Sequence, residues 1–577
     1  MTVVQGSSSI EIPNVESTIV LATLNARYIH SAFGLRYLKA NLGEYESQCE
    51  IKEYTLESRP EDVVESILQV NPRVVGFGVY IWNVTHTEKV VALLKAVSPN
   101  TVIVLGGPEV SYEQEGQVIV GLADYVITGW GEVSFRKLVH SILQSHGQAG
   151  ATALSEQKVL SEPTALSEQK VLSEQKALSE PTAGNELESS SQISGTSGRQ
   201  ITDDTQIITG EQPKLDAIRM PYHLYDDQDI KHRVLYVEAS RGCPFKCEFC
   251  LSALDKTAWP FDLDLFLEEM DVLHQRGARH FKFVDRTFNL KIKNSLRIME
   301  FFLERMSDDL FLHFEVVPDH LPEALKEMIA RFPEGQLQFE VGIQTFNQDV
   351  QSKISRRQDN QKAETNIKWI RNESKAYLHT DLIFGLPGET LESFAQSFDK
   401  LVSLNPHEIQ VGILKRLKGS PIIRHTQQHR LVFNPNPPYS IASSDLVSFS
   451  EVQFIGRFAR YWDLIANSGR FKETLSLILA DNPFANFSLL TKALFNRTGQ
   501  TYKISLLRLF DLVHDIGAEE LKINDHLLKN VISNDFAKSG LKSIPKCLIR
   551  DTNKRRLGYK VKSQKGSNSH SARQGRH

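Results

Sequence analysis

A chain of 577 residues has room for about three to four domains, and 41% apolar with 24% charged residues is the balance of a globular protein with buried cores. The formal net charge of −4 gives no global attraction to nucleic acid or to an anionic membrane. No run of about 18 apolar residues predicts a membrane span, and the tail 1–18 has neither the basic start nor the apolar core of a secretory signal.

Residues 19–146 alternate short apolar runs with helical patterns. The runs lie at 19–24, 74–80, 101–105 and 124–128, with a weaker alternating one at 49–54. Between them stand Leu35/Leu38/Leu42, Val63/Val64/Ile67/Leu68 and Val90/Val91/Leu93/Leu94 at helical spacing. Strands separated by helices predict an α/β, doubly wound parallel sheet of the Rossmann-like kind. Such a sheet binds ligands beyond the carboxyl ends of its strands, here the loops 25–34, 106–111 and 129–132. Neither a G-x-G-x-x-G nor a P-loop is present there, which argues against dinucleotides and P-loop chemistry.

Residues 147–215 break the pattern. Between 153 and 182 five hexapeptides follow one another, ALSEQK, VLSEPT, ALSEQK, VLSEQK and ALSEPT. One Leu per six residues cannot keep a helical stripe, and Pro163 and Pro181 interrupt helix. The segment is expected to be a disordered linker.

From 216 to 424 strand-like runs return at 234–239, 280–284, 312–316, 337–343, 379–384 and 408–414, each followed by a helical stretch. Six such units predict a full or partial parallel barrel. Residues 425–550 read as mainly helical. The tail 551–577, which holds eight Lys/Arg and no acid from Thr552 on, is expected to be solvated and disordered.

The chain has five cysteines. Cys49 and Cys547 are isolated, so no disulfide framework is predicted and a reducing, cytoplasmic setting is expected. The other three follow the first barrel strand as Cys243-x3-Cys247-x2-Cys250. Three thiolates on one short loop can hold three irons of a 4Fe-4S cluster and leave the fourth iron open to chelate a cofactor. A closed zinc site wants four ligands, often two separated pairs, and no second pair exists.

This loop, with Phe249 before its last cysteine, resembles the motif of the radical S-adenosylmethionine (radical SAM) superfamily. The resemblance implies that the three cysteines ligate the cluster. It also implies that the open iron chelates S-adenosylmethionine, whose reductive cleavage gives methionine and a 5′-deoxyadenosyl radical. Further segments fall in register with the family. FVDRTFN at 283–289 stands where many members carry Gly-Gly-Glu, making Asp285 and Thr287 substitutes for binding the methionine amino group. Glu315 ends the third strand. GIQTFN at 342–347 contains Gln344 and is followed by Arg356 and Arg357, either suited to a carboxylate. DLIFGLPGE at 381–389, with Gly385, resembles the segment that flanks the adenine.

The first domain, placed before such a barrel, resembles the cobalamin-binding subfamily. GFGVYIWN at 76–83, GGPEV at 106–110 and ADYVITGWGE at 123–132 supply Gly106, Gly107 and Gly129, whose backbone can close on a flat macrocycle and its nucleotide tail. The loop after the first strand lacks the D-x-H-x-x-G of His-ligated cobalamin domains, so His30 reads as a helix-start residue. VFNPNPPYS at 432–440 and NSGRF at 467–471 resemble a helical extension of one uncharacterised branch. Together these imply an enzyme, most simply a cobalamin-dependent methyltransferase acting on an unactivated carbon. An electron donor such as flavodoxin or ferredoxin and a small-molecule substrate are the expected partners, with no nucleic acid or membrane. A radical rearrangement or ring-forming enzyme with a degenerate first domain, and a non-catalytic redox protein, remain as alternatives.

Overall fold

The computed structural model describes residues 18–145 and 205–549. The tails at 1–18 and 551–577 and the hexapeptide repeat lie outside the described residues, except for Thr18.

The first domain is built on β1 (Ile19–Asn25), β2 (Cys49–Thr55), β3 (Val74–Gly78), β4 (Val102–Gly106), β5 (Tyr125–Thr128) and β6 (Gln206–Thr209). They form one parallel sheet in the order β2-β1-β3-β4-β5-β6. Central strands buried on both faces read as mainly apolar runs, as β3 does throughout and β1 does but for Thr23 and Asn25. Helices α1 (Phe33–Ala40) and α4 (Glu132–Ser145) cover one face through Leu35, Phe135 and Val139. Helices α2 (Pro60–Leu68) and α3 (Val84–Val97) cover the other through Val63, Ile67, Val90 and Leu94. Strand order reverses between β1 and β3, which sets a crevice at their carboxyl ends. One expectation is corrected. The stretch 206–209, assigned to the linker, is the sixth strand, and Gln206–Thr209 pairs in register with Tyr125–Thr128. Its four exposed or half-buried residues carry little apolar signal, so pairing rather than burial defines it.

The second domain contains β7 (Leu235–Val237), β8 (His280–Phe283), β9 (Phe311–Val316), β10 (Leu337–Gln344), β11 (Tyr377–Phe384) and β12 (Glu408–Ile413). All pair in parallel in sequence order, with β7 and β12 at the edges, so the barrel is partial. The intervening helices are α5 (Leu263–Gln275), α6 (Ile292–Glu304), α7 (Glu323–Ala330), α8 (Asn360–Glu373) and α9 (Leu391–Ser403). Three of these helices start at a side-chain cap, Asp262 for α5, Asp359 for α8 and the reciprocal Thr390–Ser393 pair for α9. Strand alternation sorts the side chains. Phe281 and Phe283 pack against Phe302 and Phe266 of the helices. On the alternate positions polar contacts form, His313 of β9 with Glu340 of β10 across the strands and His379 with Asp381 along β11.

Helices α10 (Phe449–Trp462), α11 (Lys472–Leu479), α12 (Pro483–Thr498), α13 (Leu506–Glu519) and α14 (Asp525–Lys538) make up the C-terminal region. Their core is continuous with the barrel's. Phe398 of α9 meets Phe458 and Trp462 of α10 with ring centres 5.0 and 4.8 Å apart. A short hairpin, Val432–Phe433 with Ile441–Ser443, interrupts the expected helical reading.

Candidate functional site

The cysteine loop leaves β7 through Gly242, whose φ is +93°. A Cβ there would stand 2.6 Å from Thr257 Oγ1 and 2.8 Å from the Ala258 nitrogen, so only glycine fits. The loop is then tied at several points. The Cys243 N–H donates to the Asp255 carbonyl at 2.8 Å, and the Glu248 N–H to the Ile354 carbonyl at 3.0 Å. The Glu248 carboxylate is buried and accepts from Arg424 Nε and His425 Nε2, both at 2.6 Å, and from the Ser355 hydroxyl. This residue between two cysteines therefore fixes the loop to two other segments.

Cys243, Cys247 and Cys250 line one cavity of about 260 Å³ at the barrel mouth. Among the described residues no three His, Cys, Asp or Glu side chains are grouped closely enough for a single metal ion. Three thiols on one cavity wall suit a polynuclear cluster, which takes one thiolate per iron. Burial pushes the Cys243 and Cys247 thiols up, while Arg356, with Nη1 3.6 Å from Cys247 Sγ, works the other way.

Thr287, Glu315, Gln344, Arg356 and Arg357 line the same cavity. Asp285 and Gly385 do not. The Asp285 carboxyl is 3% exposed and accepts from the Ala239 N–H at 2.9 Å and the Ser240 hydroxyl at 2.5 Å. It holds the turn that launches the cysteine loop, and burial raises its pKa to about 7. Gly385, with φ +90°, turns the chain after β11 and donates its N–H to the buried Glu389 carboxyl at 3.2 Å.

The cavity also contains charged groups absent from the sequence-derived set. Arg286 pairs with Glu315 at 2.6 Å. Glu340 meets His313 Nε2 at 3.0 Å, and Asp381 meets His379 Nε2 at 3.0 Å. Burial disfavours charge on His379, but Asp381 and Glu408 override it and lift its pKa to about 10. Alternation along β10 and β11 carried the signal for Glu340 and Asp381, since a polar residue at every second position marks a wetted barrel interior. Gln344 sits at a register shift with φ +68°, and its buried Oε1 has no hydrogen-bond partner.

A second cavity, of about 330 Å³, opens at the carboxyl ends of β3, β4 and β5. Gly106, Gly107 and Gly129 line it, with Gly76, Gly78 and apolar residues such as Phe77 and Phe135. A Cβ on Gly129 would meet nothing within 4 Å, and one on Gly106 nothing nearer than 3.8 Å, so the missing side chains are what keep this space open. An apolar slot floored by backbone fits the planar tail of a nucleotide-bearing macrocycle. His30 is not among the lining residues. Its Nδ1 lies 2.7 Å from the Tyr236 hydroxyl, and its backbone bridges to Val234, so it joins the two domains.

Arg241 ties the two domains together beside the second cavity. It lines the second, two residues before Cys243. Its guanidinium pairs with Glu132 of the first domain and Glu238 of the second, both at 2.6 Å, and lies 4.6 Å from the Trp130 ring centre.

The family description "B12 binding domain" matches residues 19–139, "Radical SAM superfamily" matches 237–401, and "Protein of unknown function (DUF4080)" matches 427–572. An uncharacterized methyltransferase of Pyrococcus horikoshii is 25% identical over 244 residues, covering 41% of this chain and 44% of the relative. The cobalamin-dependent radical SAM methyltransferase TokK of Streptomyces tokunonensis is 22% identical over 382 residues, covering 61% and 48%. The chain thus spans about half the length of these curated relatives. In fold it is similar to the radical SAM methyltransferase TsrM of Kitasatospora setae, with TM-score 0.53, 16% identity and coverage of 73% and 80%. It is likewise similar to the cobalamin-dependent radical enzyme OxsB, with TM-score 0.55, 13% identity and coverage of 91% and 84%.

Proposed function

Because the chain is a radical SAM protein with a B12-binding domain, we propose that it is a cobalamin-dependent enzyme that cleaves S-adenosylmethionine reductively and methylates an unactivated carbon of a small molecule. The observation that carries this reading is the presence of two cavities, one lined by the three cysteines and one by the sheet glycines, with Arg241 of the second only two residues before Cys243 of the first. The cofactors, once bound, supply the radical and methyl-transfer chemistry; the chain binds and orients them.

Cys243, Cys247 and Cys250 would each ligate one iron, and Glu248 holds their loop to Arg424 and His425. Arg356 and Arg357 line the wall where the carboxylate of S-adenosylmethionine would be held, with Arg356 fixed by the Gln358 side chain at 2.8 Å. Thr287 and Glu315 stand in the same lining as the cysteines and offer acceptors for the amino group and the ribose hydroxyls. Gly106, Gly107 and Gly129 would accommodate the cobalamin tail. We place the enzyme in a reducing cytoplasm with a flavodoxin- or ferredoxin-like donor; among the described residues no helix is long and apolar enough to cross a membrane.

Titration of hydroxocobalamin into the anaerobically reconstituted chain tests the reading. One equivalent is expected to bind with a change in its visible spectrum. The absence of any change would favour a radical enzyme with a degenerate first domain.

A further inference from the structure

A third cavity, of about 730 Å³, lies beside the cluster cavity and shares Phe249, Gln344 and Asp381 with it. The two are therefore adjacent, with these three side chains bordering both. Gln410 and Gly412 of the edge strand β12 form its inner wall. Its outer wall belongs to the C-terminal region, from α10 and the π-helical turn Asp463–Asn467 that follows it. Such π turns are rare and concentrate at functional positions. The Asn467 side chain clamps this wall to the barrel, accepting from the Ile409 N–H at 3.1 Å and donating to the Ile409 carbonyl at 3.0 Å.

Gly456 faces this space from the middle of α10. Glycine in a helix interior costs about 1 kcal/mol against alanine. Packing does not demand it here, because a Cβ would meet nothing within 4 Å. Its effect is to leave room. Gln344, which borders both cavities, has positive φ and an unpartnered buried oxygen. Strain and an orphaned acceptor at one residue mark a place where a ligand completes the structure. Lys415, exposed and without an ion-pair partner among the described residues, lines the same cavity, as does Arg460, which pairs with Asp463 of the π-helical turn at 3.1 Å. Ile383, Val411 and Leu417 supply apolar surface to the same lining.

We infer that this cavity is the substrate pocket, and that its occupant is a small organic anion with an apolar body. Its N–H or O–H donor meets Gln344 near the cluster, and its carboxylate or phosphate meets Lys415 and Arg460. The C-terminal region then selects the substrate. The inference rests on the reading of the cluster cavity as the place where the radical arises.

The test uses 1-anilinonaphthalene-8-sulfonate, whose rings and sulfonate reproduce this chemistry, titrated by fluorescence into the folded full chain. One saturable site is expected, with Kd raised at least tenfold by Gly456→Trp, which fills the space, and by Lys415→Glu, which reverses the charge. Helical circular dichroism checks folding, and Lys415→Glu alone decides if Gly456→Trp does not fold. The absence of a saturable site, or variants that bind within twofold of wild type, overturns the proposal. Formation of 5′-deoxyadenosine by the wild-type chain without substrate is measured in parallel. Its failure would remove the reading of the cluster cavity, while the dye result would still judge the pocket.

Discussion

Glu389 shows how one residue carries both fold and pH response. Its carboxyl is fully buried beneath the turn after β11, and burial raises its pKa to about 8 from the usual 4.5. The native state holds this proton more tightly than the unfolded chain. Stability is therefore fully present below about pH 4.5 and falls as pH rises through about 8. We predict a slope of up to about 1.4 kcal/mol per pH unit in that window from this group. Glu389→Gln, a neutral isostere, should flatten it, as read from thermal midpoints between pH 6 and 8. Arg241 behaves in the opposite sense, as a charge that must stay charged. Arg241→Met leaves Glu132 and Glu238 buried without a counterion, and removing one partner of such a group costs about 3–5 kcal/mol. A drop in thermal midpoint of several degrees is expected, together with weaker cobalamin binding. An unchanged midpoint would mean that the two domains are held together elsewhere.

At the scale of elements, the cavities are lined by the carboxyl ends of the strands and the loops that follow them. Gly106 ends β4 with no atom closer than 3.8 Å to a built Cβ, so Gly106→Leu would fill the second cavity without straining the sheet. Cobalamin binding should fall at least tenfold while iron content and the circular dichroism spectrum stay unchanged. Equal binding in the variant would move the cofactor out of this slot. Helix α10 is held at its start by Ser448, whose hydroxyl accepts from the Glu451 N–H at 3.3 Å in a capping box. Ser448→Ala should cost about 1 kcal/mol in thermal or denaturant unfolding.

For the molecule as a whole, the parallel sheet, the six barrel strands and the helical C-terminal region follow from apolar runs and spacing, because buried parallel strands have to be apolar. The cysteine loop was equally legible, since its three residues are close in sequence. What escaped were groups whose meaning depends on contacts across the fold. Strand β6 is too short and too exposed to announce itself and exists through its pairing with β5. Asp285 occupies a family position, yet its carboxyl is spent on Ala239 and Ser240. Glu248 and Arg241 read as ordinary charges until Arg424 for the one and Glu132 for the other, each more than a hundred residues away, are seen to meet them.

The most direct test of the account is the Cys247→Ala variant, reconstituted anaerobically with iron and sulfide and given S-adenosylmethionine and a strong reductant. The wild-type chain should bind iron and release methionine with 5′-deoxyadenosine, and the variant should lose the cluster and form neither product. Iron content and cleavage that persist in the variant would contradict the assignment.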